Sequence, residues 1–367
     1  MNDSTIRVLH CIYSLAWGGA EKQLYLLTNA SERVGMKPAI FCIDRAEMSD
    51  AEMKCPIYQY LRQHKVDPGI FREVKHAIRN FGPDIVHVWL PAVVTIPGML
   101  AAALNGIPCV FSYRNAMRFW AFPQVPEFLV MLGLANKIVT NNPIENSGAL
   151  FRWAYRAKSG EEIENAVDSS EIASEPRVLV EKASRVILFV GRIEAQKNWP
   201  CLLHAFALLR ETSDHELLIC GEGVEQPDML SMIDRLQLST SVKLLGRRKD
   251  IGALMRAADV VVLPSLFEGV PNVALEACAA GVPLVLSDIA GHRLFKNVGA
   301  AQMFDPRSPE SLAGTLGGLF RNPSAVSSAQ RNGLNLALQR SSEVMASRYR
   351  EAYLDSIKRC HRSRLFI

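Results

Sequence analysis

The chain has 367 residues and a formal net charge of +4, with 49% hydrophobic, 21% charged and 8% aromatic residues. At about 100 to 200 residues per domain that length predicts two domains, each able to bury a core, and the composition excludes disordered, collagenous and coiled-coil chains. The basic surplus sits at one end: Arg348, Arg350, Lys358, Arg359, Arg362 and Arg364 outweigh Glu351 and Asp355 by the chain's whole +4, so residues 1–347 balance to zero. That distribution excludes the broad basic face that nucleic acid requires.

In chain order, Asp3 precedes the first apolar run, with no basic region or small-residue cleavage site, which predicts no signal peptide and a cytoplasmic protein. Short β-branched runs then alternate with helical patterns, the mark of parallel βαβ units. Strands are predicted at Arg7–Ile12, Ala39–Ile43, Ile85–Val88, Cys109–Ser112 and Lys137–Thr140, with helices at Ala20–Val34, Phe71–Phe81 and Ala92–Leu104. The uncharged stretch from Val88 to Tyr113 is long enough to span a bilayer by count. Pro91, Pro97, Gly98, Asn105, Gly106 and Pro108 divide it into strand, helix and strand instead.

A polar stretch between Asp168 and Ser184, with Ser169, Ser170, Ser174, Glu175 and Pro176, predicts the domain boundary, placed at 172/173. Beyond it strands are predicted at Val186–Val190, Leu217–Cys220, Val242–Leu244, Val260–Leu263, Leu284–Leu286 and Ala301–Phe304. Residues 173–345 form the second doubly wound domain. Met345, Tyr349, Tyr353 and Ile357, four apart, predict an amphipathic basic helix over 346–367 that packs back on the first domain. Its basic end suits either solvent or an anionic membrane surface. The eight cysteines are dispersed, without a C-x-x-C pair, and read as reduced core residues rather than zinc or redox groups.

In two doubly wound domains ligands collect at the carboxyl ends of the strands, so the chemistry is expected in the loops after strands and in the cleft between domains. After the first strand, Trp17-Gly18-Gly19-Ala20-Glu21 runs into a helix, where close backbone approach and helix-opening N–H groups suit a phosphate, though a plain tight turn suits the pattern equally. After Val186–Val190 comes Gly191-Arg192-Ile193-Glu194-Ala195-Gln196-Lys197-Asn198, whose Arg192 and Lys197 can converge on a diphosphate; solvated cations are the alternative. After Val260–Leu263, Glu268 lies on the loop Pro264–Asn272 and Glu276 lies in the helix Val273–Ala280, flanked by alanine, leucine and cysteine. A carboxylate in so apolar a helix needs hydrogen-bonding partners, such as sugar hydroxyls.

Glu268, seven residues and then Glu276 resemble the E-x7-E motif of the family 4 retaining glycosyltransferases, which have the GT-B fold of two Rossmann-like domains facing across a cleft. Gly18-Gly19-Ala20-Glu21, Pro83-Asp84-Ile85-Val86-His87, Asn165-Ala166-Val167-Asp168, Val190-Gly191-Arg192 with Lys197-Asn198, Gly221-Glu222-Gly223 and Ala290-Gly291 follow that family's order. The resemblance spans roughly residues 7–350. It implies a UDP- or GDP-sugar donor held mainly by the second domain. Arg192 and Lys197 would bind the diphosphate, helped by backbone amides around the donor-binding turn Gly269, Val270, Pro271 and Asn272, in which proline itself brings no N–H, and by Gly18 and Gly19 from the first domain. Glu276 would hold the ribose, Glu268 the transferred sugar, and the loop Gly246-Arg247 the base.

The resemblance further implies transfer of a hexosyl or N-acetylhexosaminyl group, with retention, to a glycan or lipid-linked glycan acceptor bound by the first domain (residues 1–172), in cell-surface polysaccharide or lipid-linked glycan synthesis at the inner face of the plasma membrane. No cofactor or divalent metal is expected; the chain contains no Asp-x-Asp. Fixed cations and helix-end amides would instead stabilise the charge building on the departing diphosphate. Two positions depart from the pattern. Arg114 stands where relatives carry a histidine, keeping hydrogen bonding while losing proton exchange. The glutamate expected after Ala290-Gly291 is absent from His292-Arg293-Leu294-Phe295. A nucleotide-sugar 2-epimerase of similar fold and a non-catalytic nucleotide-sugar-binding subunit are the alternatives. His87 could face the cleft or sit satisfied at the core's rim. Phe119, Trp120, Phe122, Phe128 and Leu129 could line an acceptor channel, touch a bilayer or form a core helix.

Overall fold

The computed structural model describes residues 5–16, 18–44, 46–64, 67–89, 93–114, 133–141, 149–174, 185–211 and 214–364. Trp17, the aromatic segment from Phe119 to Leu129 and the stretch from Glu175 to Ser184 lie outside the described residues. The chain forms two compact units: Met1–Ala166 together with Ser342–Ile367, and Val167–Ser341. Both crossings therefore fall a few residues before the boundaries of 172/173 and 345/346 drawn from the sequence.

In the first unit seven strands, β1 (Ile6–Ile12), β2 (Met36–Cys42), β3 (Ile57–Gln59), β4 (Ile85–Trp89), β5 (Cys109–Tyr113), β6 (Lys137–Thr140) and β7 (Glu161–Glu162), form one sheet in the order β3-β2-β1-β4-β5-β6-β7. Every pairing is parallel. Side chains alternate between two buried faces, as a sheet covered on both sides demands. Leu9, Cys11, Phe41, Val86, Val88 and Phe111 pack with the helices Gly69–Phe81 and Thr95–Leu104. Val8, Ile12, Ile40 and Val110 pack on the other side with the helices Gly19–Ser31 and Ser342–Arg364. The uncharged stretch thus resolves into β4, the helix Thr95–Leu104 and β5. Among the described residues no helix is long and apolar enough to cross a membrane.

The second unit carries β8 (Arg185–Val190), β9 (His215–Cys220), β10 (Val242–Gly246), β11 (Val260–Leu263), β12 (Leu284–Ser287) and β13 (Ala301–Phe304), all parallel, in the order β10-β9-β8-β11-β12-β13. Both sheets have a dinucleotide-fold order, with the direction of winding reversing beside the first strand. The loops that follow β8 and β11 flank that reversal in the second unit. Two strands were not anticipated: β3 and β7, three and two residues long, whose Tyr-Gln and Glu-Glu content lacks a β-branched run. Both lie at sheet edges, where backbone pairing rather than side-chain burial holds them.

The last helix, Ser342–Arg364, belongs to the first unit, burying Met345, Tyr349 and Tyr353 completely or nearly so. Lys137, 7% exposed at its side chain, anchors it from β6 through Asp355 at 3.0 Å and also meets Glu161 at 3.3 Å. All eight cysteines are free; seven are buried and Cys360 is half-buried. Burial pushes the thiols of Cys11, Cys42, Cys55 and Cys278 up to about 12, so they are inert at neutral pH.

Candidate donor site

Backbone contact, before any side chain, assembles the second unit's loops. Gly221 has φ +141, and a Cβ there would lie 1.9 Å from the Gly191 carbonyl oxygen; a Cβ on Gly223 would lie 2.1 Å from that of Ile193. Only glycine allows the loops after β8 and β9 to meet this closely. Gly191 N donates to Cys220 O at 2.9 Å, Ile193 N to Glu222 O at 3.0 Å and Gly221 N to Gly246 O at 2.8 Å, so the carboxyl ends of β8, β9 and β10 are stitched together.

The loops after β8 and β11 are joined as firmly. Leu266 N donates to Gln196 O at 2.9 Å, Gln196 Nε2 to Phe267 O at 2.8 Å, and Asn198 Nδ2 to Pro264 O at 3.1 Å. Across this seam Lys197 Nζ lies 2.6 Å from Glu268 Oε1, the two side chains being 15% and 9% exposed. Ser265 Oγ donates to the same carboxylate oxygen. Glu225 braces the loop from below, accepting from Ala195 N at 2.9 Å and from Trp199 Nε1 at 2.7 Å.

Glu276 is buried in the helix Asn272–Ala279, which starts directly after the Glu268–Pro271 turn. The short turn Ala290–His292 rests on that loop, since a Cβ on Gly291 would lie 2.2 Å from Glu268 O and 2.3 Å from Gly269 O. Thus Lys197, Glu268, Gly269, Val270, Pro271, Asn272 and Glu276 occupy one rim of the second sheet. Gly246, with φ +62, closes β10 on the same rim, and Arg247 follows it, exposed. Arg192 stands apart from the acid pair: it is exposed and its Nη1 lies 3.0 Å from Glu194 Oε1.

In the first unit Gly18 caps the helix Gly19–Ser31, with Glu21 in its first turn and Ser14 Oγ donating to Glu21 Oε1 at 3.4 Å. Arg114 is buried. Its Nη1 donates to Asn165 Oδ1 at 2.8 Å, its Nη2 donates to the Tyr349 hydroxyl at 2.7 Å, and the guanidinium carbon stands 4.5 Å from the Trp89 ring centroid. His87 proves satisfied, its Nδ1 bonded to Tyr353 Oη at 2.6 Å and its Nε2 to Ser112 Oγ at 2.7 Å. Burial, then the neighbouring His10 and the Arg114 cation, hold its pKa well below the ordinary imidazole value, so it is neutral. Sequence reasoning gave no role to His10, bonded to Trp89 Nε1 at 3.1 Å, or to the buried Ser265, Ser287 and His292.

Comparison with known proteins decides the family. Residues 17–145 match the profile described as Glycosyltransferase Family 4, and residues 184–322 that described as Glycosyl transferases group 1. The Bacillus subtilis protein EpsF, named as a glycosyltransferase, is 30% identical over 341 residues, covering 85% of this chain and 87% of its own. The chain is a family 4 glycosyltransferase. Another relative of this glycosyltransferase is the Campylobacter jejuni N-acetylgalactosamine-N,N'-diacetylbacillosaminyl-diphospho-undecaprenol 4-alpha-N-acetylgalactosaminyltransferase, 26% identical over 76% of this chain and 79% of that one. Among solved structures, Anabaena HepE in complex with UDP-glucose superposes with a TM-score of 0.82 at 20% identity, over 95% of this chain and all of that one. That likeness bears on fold and gives the GT-B architecture to the glycosyltransferase. Family membership makes the enzyme one that moves sugar from a nucleotide-sugar.

Proposed function

We propose that the second unit binds a UDP- or GDP-sugar and that the enzyme transfers its hexosyl or N-acetylhexosaminyl group, with retention and without a metal, to a glycan acceptor. The observation that carries this reading is the Lys197–Glu268 pair, whose glutamate lies on the loop that leads directly into the helix that buries Glu276. Lys197 meets the diphosphate, together with Arg192 once the latter leaves Glu194. Amides around Gly269 to Asn272 face the same charge at a helix start. Glu268 takes a hydroxyl of the transferred sugar, Glu276 the ribose, and the turn Gly246-Arg247 the base.

Breaking the glycosyl phosphate bond puts negative charge on the departing diphosphate. A lysine already fixed beside it stabilises that charge without reorganising. A leaving-group phosphate oxygen takes the acceptor's proton on the face from which the sugar departs, so no protein base is required. In the first unit, Gly18 N already donates to Ala16 O at 2.8 Å, so the Gly18-Gly19 turn would serve an anionic group through close backbone approach at the helix start, and Arg114 keeps N–H donors for a polar ligand of that unit.

For the acceptor, a lipid-linked or cell-surface glycan is favoured by the undecaprenol-linked acceptor named for the Campylobacter relative. Exposed Lys358 and Arg359 near the end of the last helix suit anionic lipid, which supports reading the enzyme as a cytoplasmic one working at the membrane's inner face. The test is a screen of UDP-glucose, UDP-galactose, UDP-N-acetylglucosamine and GDP-mannose by thermal shift and by nucleotide release. One donor should raise the melting temperature and release its nucleoside diphosphate. An epimerised donor formed without acceptor, or tight binding with no release in the presence of glycan acceptors, would overturn the transfer reading.

A further inference from the structure

Behind Glu268 runs a file of buried polar groups to which the donor reading gives no task. Ser265 Oγ donates to Glu268 Oε1, and Ser265 O accepts from Ser287 Oγ at 2.6 Å. Ser287 O in turn lies 2.9 Å from His292 Nδ1. Ser265, Ser287 and His292 are all 0% exposed. A carbonyl oxygen only accepts, so Nδ1 carries the ring proton and Nε2 of the neutral imidazole is left as an acceptor. That Nε2 is buried and has no partner. Native proteins seldom leave such an atom unpaired, because its desolvation goes uncompensated.

The ring's place beside the donor loop is fixed. Gly291, the preceding residue, is packed directly against the carbonyl oxygens of Glu268 and Gly269. Burial lowers the pKa of His292, and both Glu268 and Lys197 lie near enough to act on it electrostatically. The neutral form is therefore the resting form, and a neutral acceptor calls for an O–H or N–H from its ligand. His292 also lies in the segment that lacks the glutamate expected after Ala290-Gly291.

We propose that His292 is a specificity-determining residue: its Nε2 accepts a hydrogen bond from one hydroxyl of the transferred sugar, beside the hydroxyl taken by Glu268. This rests on the donor site proposed above. An acceptor of this kind discriminates against a sugar lacking that hydroxyl, because the orphan atom then stays unpaired.

The test uses the full-length enzyme, whichever of the four screened donors it turns over, that donor's monodeoxy analogues and the matching nucleoside diphosphate. His292→Leu should bind the nucleoside diphosphate within about twofold of the parent while losing roughly ten- to a hundredfold in kcat/KM for the full donor. It should also lose the parent's preference for the full donor over one deoxy analogue. His292→Gln, which returns an acceptor near the Nε2 position, should recover part of both. Equal loss of nucleoside diphosphate and donor affinity would make the residue merely structural and overturn the proposal. So would a His292→Leu enzyme that keeps the parent's preference among deoxy analogues. A parent that binds neither diphosphate nor donor would instead overturn the donor site itself, and His292's role with it.

Discussion

Lys197 Nζ lies 2.6 Å from Glu268 Oε1, although the two residues are 71 positions apart in sequence. The pair joins the loops after β8 and β11 and holds a largely buried lysine at the rim where a diphosphate is proposed to bind. Ordering that side chain before the ligand arrives removes part of the entropy cost of binding. The ion pair is thus a structural clamp and, on the proposed reading, a preorganised anion site.

Backbone contact at Gly291 is predicted to matter more than any side chain near it. Gly291→Ala puts a Cβ 2.2 Å from Glu268 O, so the loop must shift. Donor turnover should fall at least tenfold and the melting temperature should drop. Gly314→Ala is the contrast: it sits in the helix Pro309–Phe320 with nothing within 4 Å of the added Cβ. It should stabilise by about 0.5 to 1 kcal/mol, measured by urea unfolding.

The last helix is fastened by buried polar contacts rather than by its surface charges. Tyr349→Phe deprives buried Arg114 of an acceptor and should cost about 1 to 3 kcal/mol in urea unfolding. Arg33→Ala, which removes an ion pair with Glu343 whose side chains are 66% and 42% exposed, should cost under about 1 kcal/mol. The opposite ranking would mean that the Arg114 network contributes little.

Acid should destabilise the enzyme well above the carboxylate range. Burial depresses His10 to about 3, and holds His87 and His292 below the ordinary 6.5 as well. The unfolded chain takes up these protons near pH 6.5 while the native state refuses them. Their contribution is therefore complete above that pH and is lost as pH falls towards the folded values. Each histidine adds about 1.4 kcal/mol per pH unit to the decline in that window. Melting temperatures measured from pH 7.5 to 5 should fall progressively; a flat profile would contradict neutral burial of these rings.

Metal removal should leave turnover intact. With the developing charge assigned to Lys197, Arg192 and amides, saturating EDTA should change the rate of nucleotide release by less than about twofold. Abolition by EDTA and restoration by Mg²⁺ would show that the charge is met otherwise.

Much of the fold was legible because parallel strands buried on both faces write themselves as continuous runs, as Val260–Leu263 does. The short edge strands Ile57–Gln59 and Glu161–Glu162 left no such trace, since backbone pairing forms them. At the site, Glu276 stood out because a carboxylate in an apolar helix is costly, and it is buried there. Arg192 and Lys197 looked equivalent in sequence, yet only Lys197 pairs with Glu268, Arg192 being bonded to Glu194. Nothing local distinguishes them, for the difference is made by a loop residue 71 positions away. His292 was illegible for the same reason: whether a ring nitrogen finds a partner is decided by tertiary packing, and no motif records it.

The most direct measurement is calorimetric titration of UDP, GDP and the preferred donor into the parent, Lys197→Ala and Glu276→Ala. One nucleotide series should bind the parent, with affinity at least tenfold weaker in each variant while both variants keep the parent's far-ultraviolet spectrum. Binding of that nucleotide series by the two folded variants with the parent's affinity would contradict the assignment of the donor site to the second unit's rim.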